Sequence, residues 1–288
     1  MKLRPANIIL SIMAILVLAA STTFAAESKI DWSSNYITVT GYGAPPAHSI
    51  NIGQARMMAR RAAVVDAYRQ MAEIVNGVQV DSETTVREMV VENDLIKTKV
   101  TGLVRSARVV EERQVEGGYE VTMTVPLFGV SDSVAASVLP QNTTKESFPM
   151  PAMSRTTPPL DGMSTGSSAA NPTNYTIQRE GIYTGLVIDC HGLGLKPAMS
   201  PVIKNANLES IYGYKNLDYN YVIANGMASY AHNMSQATRA GSHPLVLRAE
   251  KLIGMGVNPV LSMRDADKAL VENQATHFLD KTNVVFLY

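Results

Sequence analysis

Gln54 to Val80 reads QARMMARRAAVVDAYRQMAEIVNGVQV. At about 100° per residue, Met57, Val64, Tyr68, Met71 and Val75 fall on one line of a helix, and Met58, Val65 and Ala72 widen it into an apolar face. Arg56, Arg60, Asp66, Gln70 and Glu73 fall on the opposite, solvated side. Ala55, Ala59, Ala62, Ala63, Ala67 and Ala72 favour the helix and let a partner layer come close. Asn76-Gly77 predicts a stop in the left-handed conformation, and Val78 and Val80 then alternate with polar residues as the opening of a strand. Arg61 sits at the edge of the apolar face, where its stem can cover apolar surface while the guanidinium reaches water. A carboxylate or anion partner is the sharper alternative for it.

Working outward, residues 36–43 (YITVTGYG) alternate Ile37 and Val39 with threonines and predict a first strand. Residues 83–99 fit a polar helix or an extended strand. Leu103–Val115 and Tyr119–Val125 predict a hairpin joined at Glu116-Gly117-Gly118, with Tyr119, Val121, Met123 and Val125 on one face. The order β-α-β-β, with a further strand allowed, predicts an α+β domain over residues 31–139. One long helix covers one face of a mostly antiparallel sheet.

The helix and hairpin also carry a resemblance. Gln54-Ala55-Arg56, Ala59, Arg61-Ala62-Ala63, Asp66-Ala67-Tyr68-Arg69, Ala72-Glu73 and Gly77-Val78 resemble the signature of the LPP-twenty lipoprotein family. That family is related to the N-terminal domain of the flagellar assembly protein T. The likeness continues through Gly102, Val104-Arg105, Tyr119-Glu120-Val121 and Val125-Pro126-Leu127, covering about residues 36–130. It implies a small α/β domain exported to the bacterial envelope, with flagellar or surface-structure assembly as the setting. It implies no catalytic residue, and it leaves Gln54, Arg56, Arg61, Asp66, Tyr68 and Gly77 as motif positions with structural roles.

The first residues agree with export. Lys2 and Arg4 precede the apolar run Ile8–Ala20, and Thr23-Phe24-Ala25-Ala26 follows. This predicts a signal peptide over residues 1–25, and the run is short for a membrane span or retained anchor. The family name implies a lipidated cysteine after the leader, but the one cysteine of the 288 residues is Cys190. The expectation is therefore a periplasmic or extracellular, envelope-associated protein without a lipid anchor, an internal disulfide or a stable transmembrane span. Twenty-five basic against twenty-five acidic residues give no net charge, so nothing draws the chain to nucleic acid or an anionic membrane.

Residues 140–175 hold Pro140, Pro149, Pro151, Pro158, Pro159 and Pro172 among Ser, Thr, Asn and Gly, and predict a disordered or extended linker. A second, mixed α/β domain of unassigned family follows at 176–288. Its expected elements are a buried strand at 185–190, a hairpin at 200–213 turning at Asn205-Ala206-Asn207, and strands at 245–253, 257–261 and 283–288. Ser262 and Asp265 open a helix to about Phe278, with Ala266, Leu270 and Ala275 inward.

Candidate chemistry is sparse. Asp189-Cys190-His191 invites a nucleophile, but strand alternation sends Cys190 and His191 to opposite faces. Gly192-Leu193-Gly194-Leu195-Lys196-Pro197 follows a strand but lacks a phosphate loop's Gly-Lys-Ser/Thr ending and reads as a turn. Asp265 and Asp267 belong to a first helical turn, where they offset the dipole. His48, His191, His232, His243 and His277 have no zinc spacing, and no cofactor or metal is expected. Tyr212, Tyr214, Tyr219, Tyr221 and Tyr230 are five of twelve tyrosines, crowded into one segment that could stack on glycan or peptide.

Three functions follow in order. The first is a non-enzymatic exported assembly or interaction module, meeting envelope proteins or its own copies through sheet edges. The second is a glycan- or peptide-binding envelope module, with cell-wall glycan as a ligand of Tyr212, Tyr214, Tyr219 and Tyr221. The third and most remote is a hydrolase using Cys190 or His191.

Overall fold

The computed structural model describes residues 28–49, 51–141, 144–152 and 177–288. The leader assigned to 1–25 and most of the proline-rich tract lie outside them. The architecture is α+β in two regions. The first contains β1 (Lys29–Asp31), β2 (Tyr36–Gly43), α1 (Ile52–Gly77), α2 (Val86–Glu92), α3 (Asp94–Arg105), β3 (Arg108–Val115), β4 (Gly118–Pro126) and the short α4 (Val134–Val138). Its sheet is antiparallel throughout, in the order β1-β2-β4-β3. A two-residue turn joins β3 to β4, and Gly117 supplies its positive φ of 79°.

α1 packs on this sheet along a stripe that only partly matches the predicted apolar face: Met71 and Val75 are buried and Val64 and Tyr68 half-buried against the core, but Ala59, Ala63 and Ala67 take the remaining contacts. Its buried residues are Ala59, Ala63, Ala67, Met71 and Val75, spaced by four. Gly41 and Gly43 of β2 explain the choice. A Cβ on Gly41 would strike the Ala63 carbonyl and Ala67 amide, and one on Gly43 the Ala59 carbonyl and Ala63 amide. Backbone meets backbone there, so only small residues fit between the layers. Burying Met71 and Val75 farther along contributes roughly 1.5–3 kcal/mol each. Met57, Met58 and Val65 are left exposed.

Other expectations for this region also shift. α1 ends without a left-handed residue: Val78 turns extended, at φ −63° and ψ 127°. Val78 and Val80 are buried but form no strand, and Gln79 makes only an isolated bridge to Thr85. The ambiguous stretch becomes two helices. Thr85 and Glu88 cap α2 reciprocally, while Asn93 accepts from the Leu95 and Ile96 amides to start α3. Leu103–Arg105 therefore belong to α3, and the hairpin begins at Arg108. Two short helices thus join the one long helix expected, because these caps satisfy their backbone locally.

The second region contains β5 (Gly185–Asp189), β6 (Ile203–Lys204), β7 (Ser210–Tyr212), α5 (Tyr219–Asn225), β8 (Ser229–Ala231), β9 (Pro244–Arg248), β10 (Lys251–Ile253), β11 (Asn258–Val260), α6 (Met263–Thr276) and β12 (Val284–Leu287). Four of these strands form a parallel sheet in the order β8-β12-β5-β9. The others form a mixed sheet, β10-β11-β6-β7. The expected strand at 245–253 is split between the two sheets, because the chain turns at Ala249-Glu250. The unexpected α5 starts at Asp218, whose side chain accepts from the Tyr221 amide. On α6, Ala266 and Leu270 are buried but Ala275 is exposed; Asp267, Glu272 and Asn273 are buried in its place.

The regions share one apolar core, which runs from Ile37, Val39 and Met71 to Leu186, Tyr230 and Phe286. Backbone bonds join them at Met199 N–Gln79 O (3.0 Å), Ser200 N–Val80 O (2.7 Å) and Gly129 N–Ile223 O (2.8 Å). Part of the expected linker packs as well. Phe148 stacks on Tyr212 at 6.3 Å, and the Ala152 amide donates to Asp267 at 2.7 Å. The reason is that Asp267 is buried and needs a donor, so it is not simply a surface charge in a first helical turn.

Candidate functional site

With Ala59, Ala63 and Ala67 turned to the sheet, α1 presents a second face outward. Met58 is 47% and Val65 63% exposed, and with Arg61, Ala62, Asp66 and Arg69 they line a shallow depression of about 490 Å³. Farther along the same helix, Tyr68 and Ala72 join Val90, Val100 and Val104 to line a groove of about 560 Å³. Lys97 and Arg105 are the charged residues of that groove, and no carboxylate lines it among the described residues. The Tyr68 hydroxyl reaches the Arg105 carbonyl at 3.5 Å.

The motif positions divide between anchoring and exposure. Asp66 accepts from the Tyr42 amide (3.1 Å), Arg69 (2.8 Å) and Gln70 (2.7 Å), and Gln70 donates to the Thr40 carbonyl, so this cluster fastens α1 to β2. Partial burial pushes the Asp66 carboxyl up, but the bonds from Arg69, Tyr42 and Gln70 outweigh it and hold it below its ordinary value. The Gln54 amide donates to the capping Asn51 side chain at 2.8 Å. Arg56, Arg61 and Gly77 are exposed. Arg60, on the solvated side, also reaches across to Glu112 of β3 through two surface bonds of 2.8 and 2.5 Å.

The tyrosines do not form a shared stacking surface. Tyr212 is buried and donates to the Met227 carbonyl; buried Tyr230 bonds the Ala198 backbone twice. Tyr214 donates to the Pro140 carbonyl and Tyr221 to the Lys281 carbonyl. Tyr219 is half-buried against the core.

The carboxyl ends of the parallel strands carry the polar residues of the Asp189 segment. His191 Nδ1 lies 2.6 Å from Asp189 Oδ1 and its Nε2 3.1 Å from the His232 carbonyl. The Asp189 bond and the His232 carbonyl hold the His191 pKa above its ordinary value. The amide of His191 likewise holds the Asp189 carboxyl down. His232 lies 4.6 Å from the Tyr288 ring. Cys190 points the other way, into the main core beside Ile188, and burial pushes its thiol up to about 12. Such a thiol is a poor nucleophile. No group of three or more His, Cys, Asp or Glu side chains is placed to hold a metal among the described residues. None of the described helices is long and apolar enough to cross a membrane.

Sequence reasoning missed the exposed stripe on α1 and the groove beside it. The signal was present in Ala59-x-x-x-Ala63-x-x-x-Ala67 opposite Gly41-x-Gly43, two small-residue series that pair best with each other. No curated protein matches the chain. Residues 185–288 are similar to the second domain of Tp0624 from Treponema pallidum.

Proposed function

We propose that the protein is a non-enzymatic interaction module of the bacterial cell envelope, with the outer face of α1 as its docking surface. The exposure of Met58 and Val65, continued by the groove under Tyr68 and Ala72, carries this reading. A helix normally turns its large apolar residues inward, and this one leaves Met57, Met58 and Val65 exposed to solvent. The partner is an amphipathic helix of another envelope protein. Its apolar side fills the groove and its acidic flank meets Lys97 and Arg105. The exported setting rests on the leader-like N-terminus, and the flagellar or surface-assembly role on the resemblance over residues 36–130.

Deletion of the chain, and separately Val65→Glu in a protein that still folds, should disturb motility, surface layering or envelope integrity. Normal behaviour of the deletion in all three assays would contradict the proposal.

A further inference from the structure

A shallow polar depression, a cavity of about 380 Å³ wide open to solvent, lies on the second region, away from α1. Arg239 lies in its wall, in a short turn at Thr238–Ala240. Its Nε donates to the Thr282 carbonyl (2.7 Å), and its Nη2 to the Thr282 hydroxyl (2.6 Å) and the Gly226 carbonyl (2.8 Å). Its Nη1 reaches the Ser229 hydroxyl at 3.3 Å. All of these acceptors are neutral. Arg239 has no ion-pair partner among the described residues, although burial is the main influence on it and lowers its pKa.

Lys281 lines the same cavity, and its ammonium group also donates to a neutral acceptor, the Thr276 carbonyl at 3.0 Å. The adjacent acid, Asp280, is occupied by Lys145, Asn273 and His277. No carboxylate lines the cavity among the described residues. One guanidinium N–H, two ammonium N–H groups and the Thr238 hydroxyl remain for a ligand. A partly buried cation compensated only by carbonyls and hydroxyls, beside a second cation, is a place where an anion lowers the electrostatic cost.

We propose that this cavity binds a small oxyanion, a carboxylate or a phosphate group. Arg239 and Lys281 supply the charge, and Thr238 supplies a further hydrogen bond. The site is independent of the docking surface on α1.

The test is NMR titration of the full chain at low ionic strength, with acetate in one arm, inorganic phosphate in a second and chloride as the control. Because Arg239 also ties the Gly226 and Thr282 backbone segments together, the variants are Lys281→Met and Thr238→Val at exposed positions. The expected result is a saturable shift of the Arg239 Nε–H with acetate or phosphate, weakened about tenfold in Lys281→Met. The responding arm identifies the group. No saturable shift with either oxyanion, a chloride response of equal strength, or affinity unchanged in both variants would overturn the proposal.

Discussion

Gly41 of β2 lies so close beneath Ala63 of α1 that a Cβ at position 41 would meet the Ala63 carbonyl. This contact decides which face of α1 is hidden. It also separates two kinds of substitution on one helix. Gly41→Ala or Ala63→Leu forces the layers apart and should cost about 1–3 kcal/mol. Met58→Ala and Val65→Ala, on the outer face, should stay within about 0.5 kcal/mol. Chemical denaturation of the four variants checks the contrast, and equal costs on both faces would mean that α1 packs in another orientation.

Asp66 is the motif residue with the clearest structural work, since it receives the Tyr42 amide and two side chains of its own helix. Asp66→Ala should destabilise by about 1 kcal/mol. Its folded pKa is depressed, so its contribution is present above the unfolded carboxylate value and is lost as pH falls through the folded one. Denaturation midpoints measured from neutral to acid pH should show the wild type and the variant converging at the acid end.

His191 has an acceptor at each ring nitrogen, Asp189 Oδ1 and the His232 carbonyl, and only the imidazolium can donate to both. Its pKa is raised above 6.5, so the stabilisation is complete below the unfolded histidine value and is lost as pH rises through the folded one. Histidine NMR titration should place His191 above 6.5, and Asp189→Asn should move it down. A titration that is the same in both proteins would contradict the pairing.

Cys190 should resist alkylation in the folded chain and react only after denaturation, because its thiol is buried and its pKa is pushed up to about 12. Mass spectrometry after iodoacetamide treatment, with and without denaturant, reads this directly.

The strands of both regions were legible where short-range chemistry settles them. Ile37 and Val39 alternate with threonines, Glu116-Gly117 turns a hairpin, and Ser262 caps α6. Thr85-x-x-Glu88 was a readable helix start inside the ambiguous stretch, and the structure uses it. The buried face of α1 was harder. Its hydrophobic line was read from residue size, whereas the close approach of β2 rewards smallness. Asp267 was expected in a first helical turn, yet it accepts the Ala152 amide, and Glu272 accepts the Glu180 amide, both from segments distant in sequence. The proposed anion site has no local pattern at all, since Arg239 and Lys281 come from separate segments that line it together with residues of α5 and β8.

The most direct test of the docking surface is site-specific photo-crosslinking in intact cells, with the reactive residue at Ala72 in the groove and a control at Glu116 in the hairpin turn. The account predicts an adduct at Ala72, absent at Glu116. Its partner peptide should space apolar residues three and four apart and carry acidic residues on its flank. Equal labelling at the two positions, or an Ala72 partner without that pattern, would contradict it.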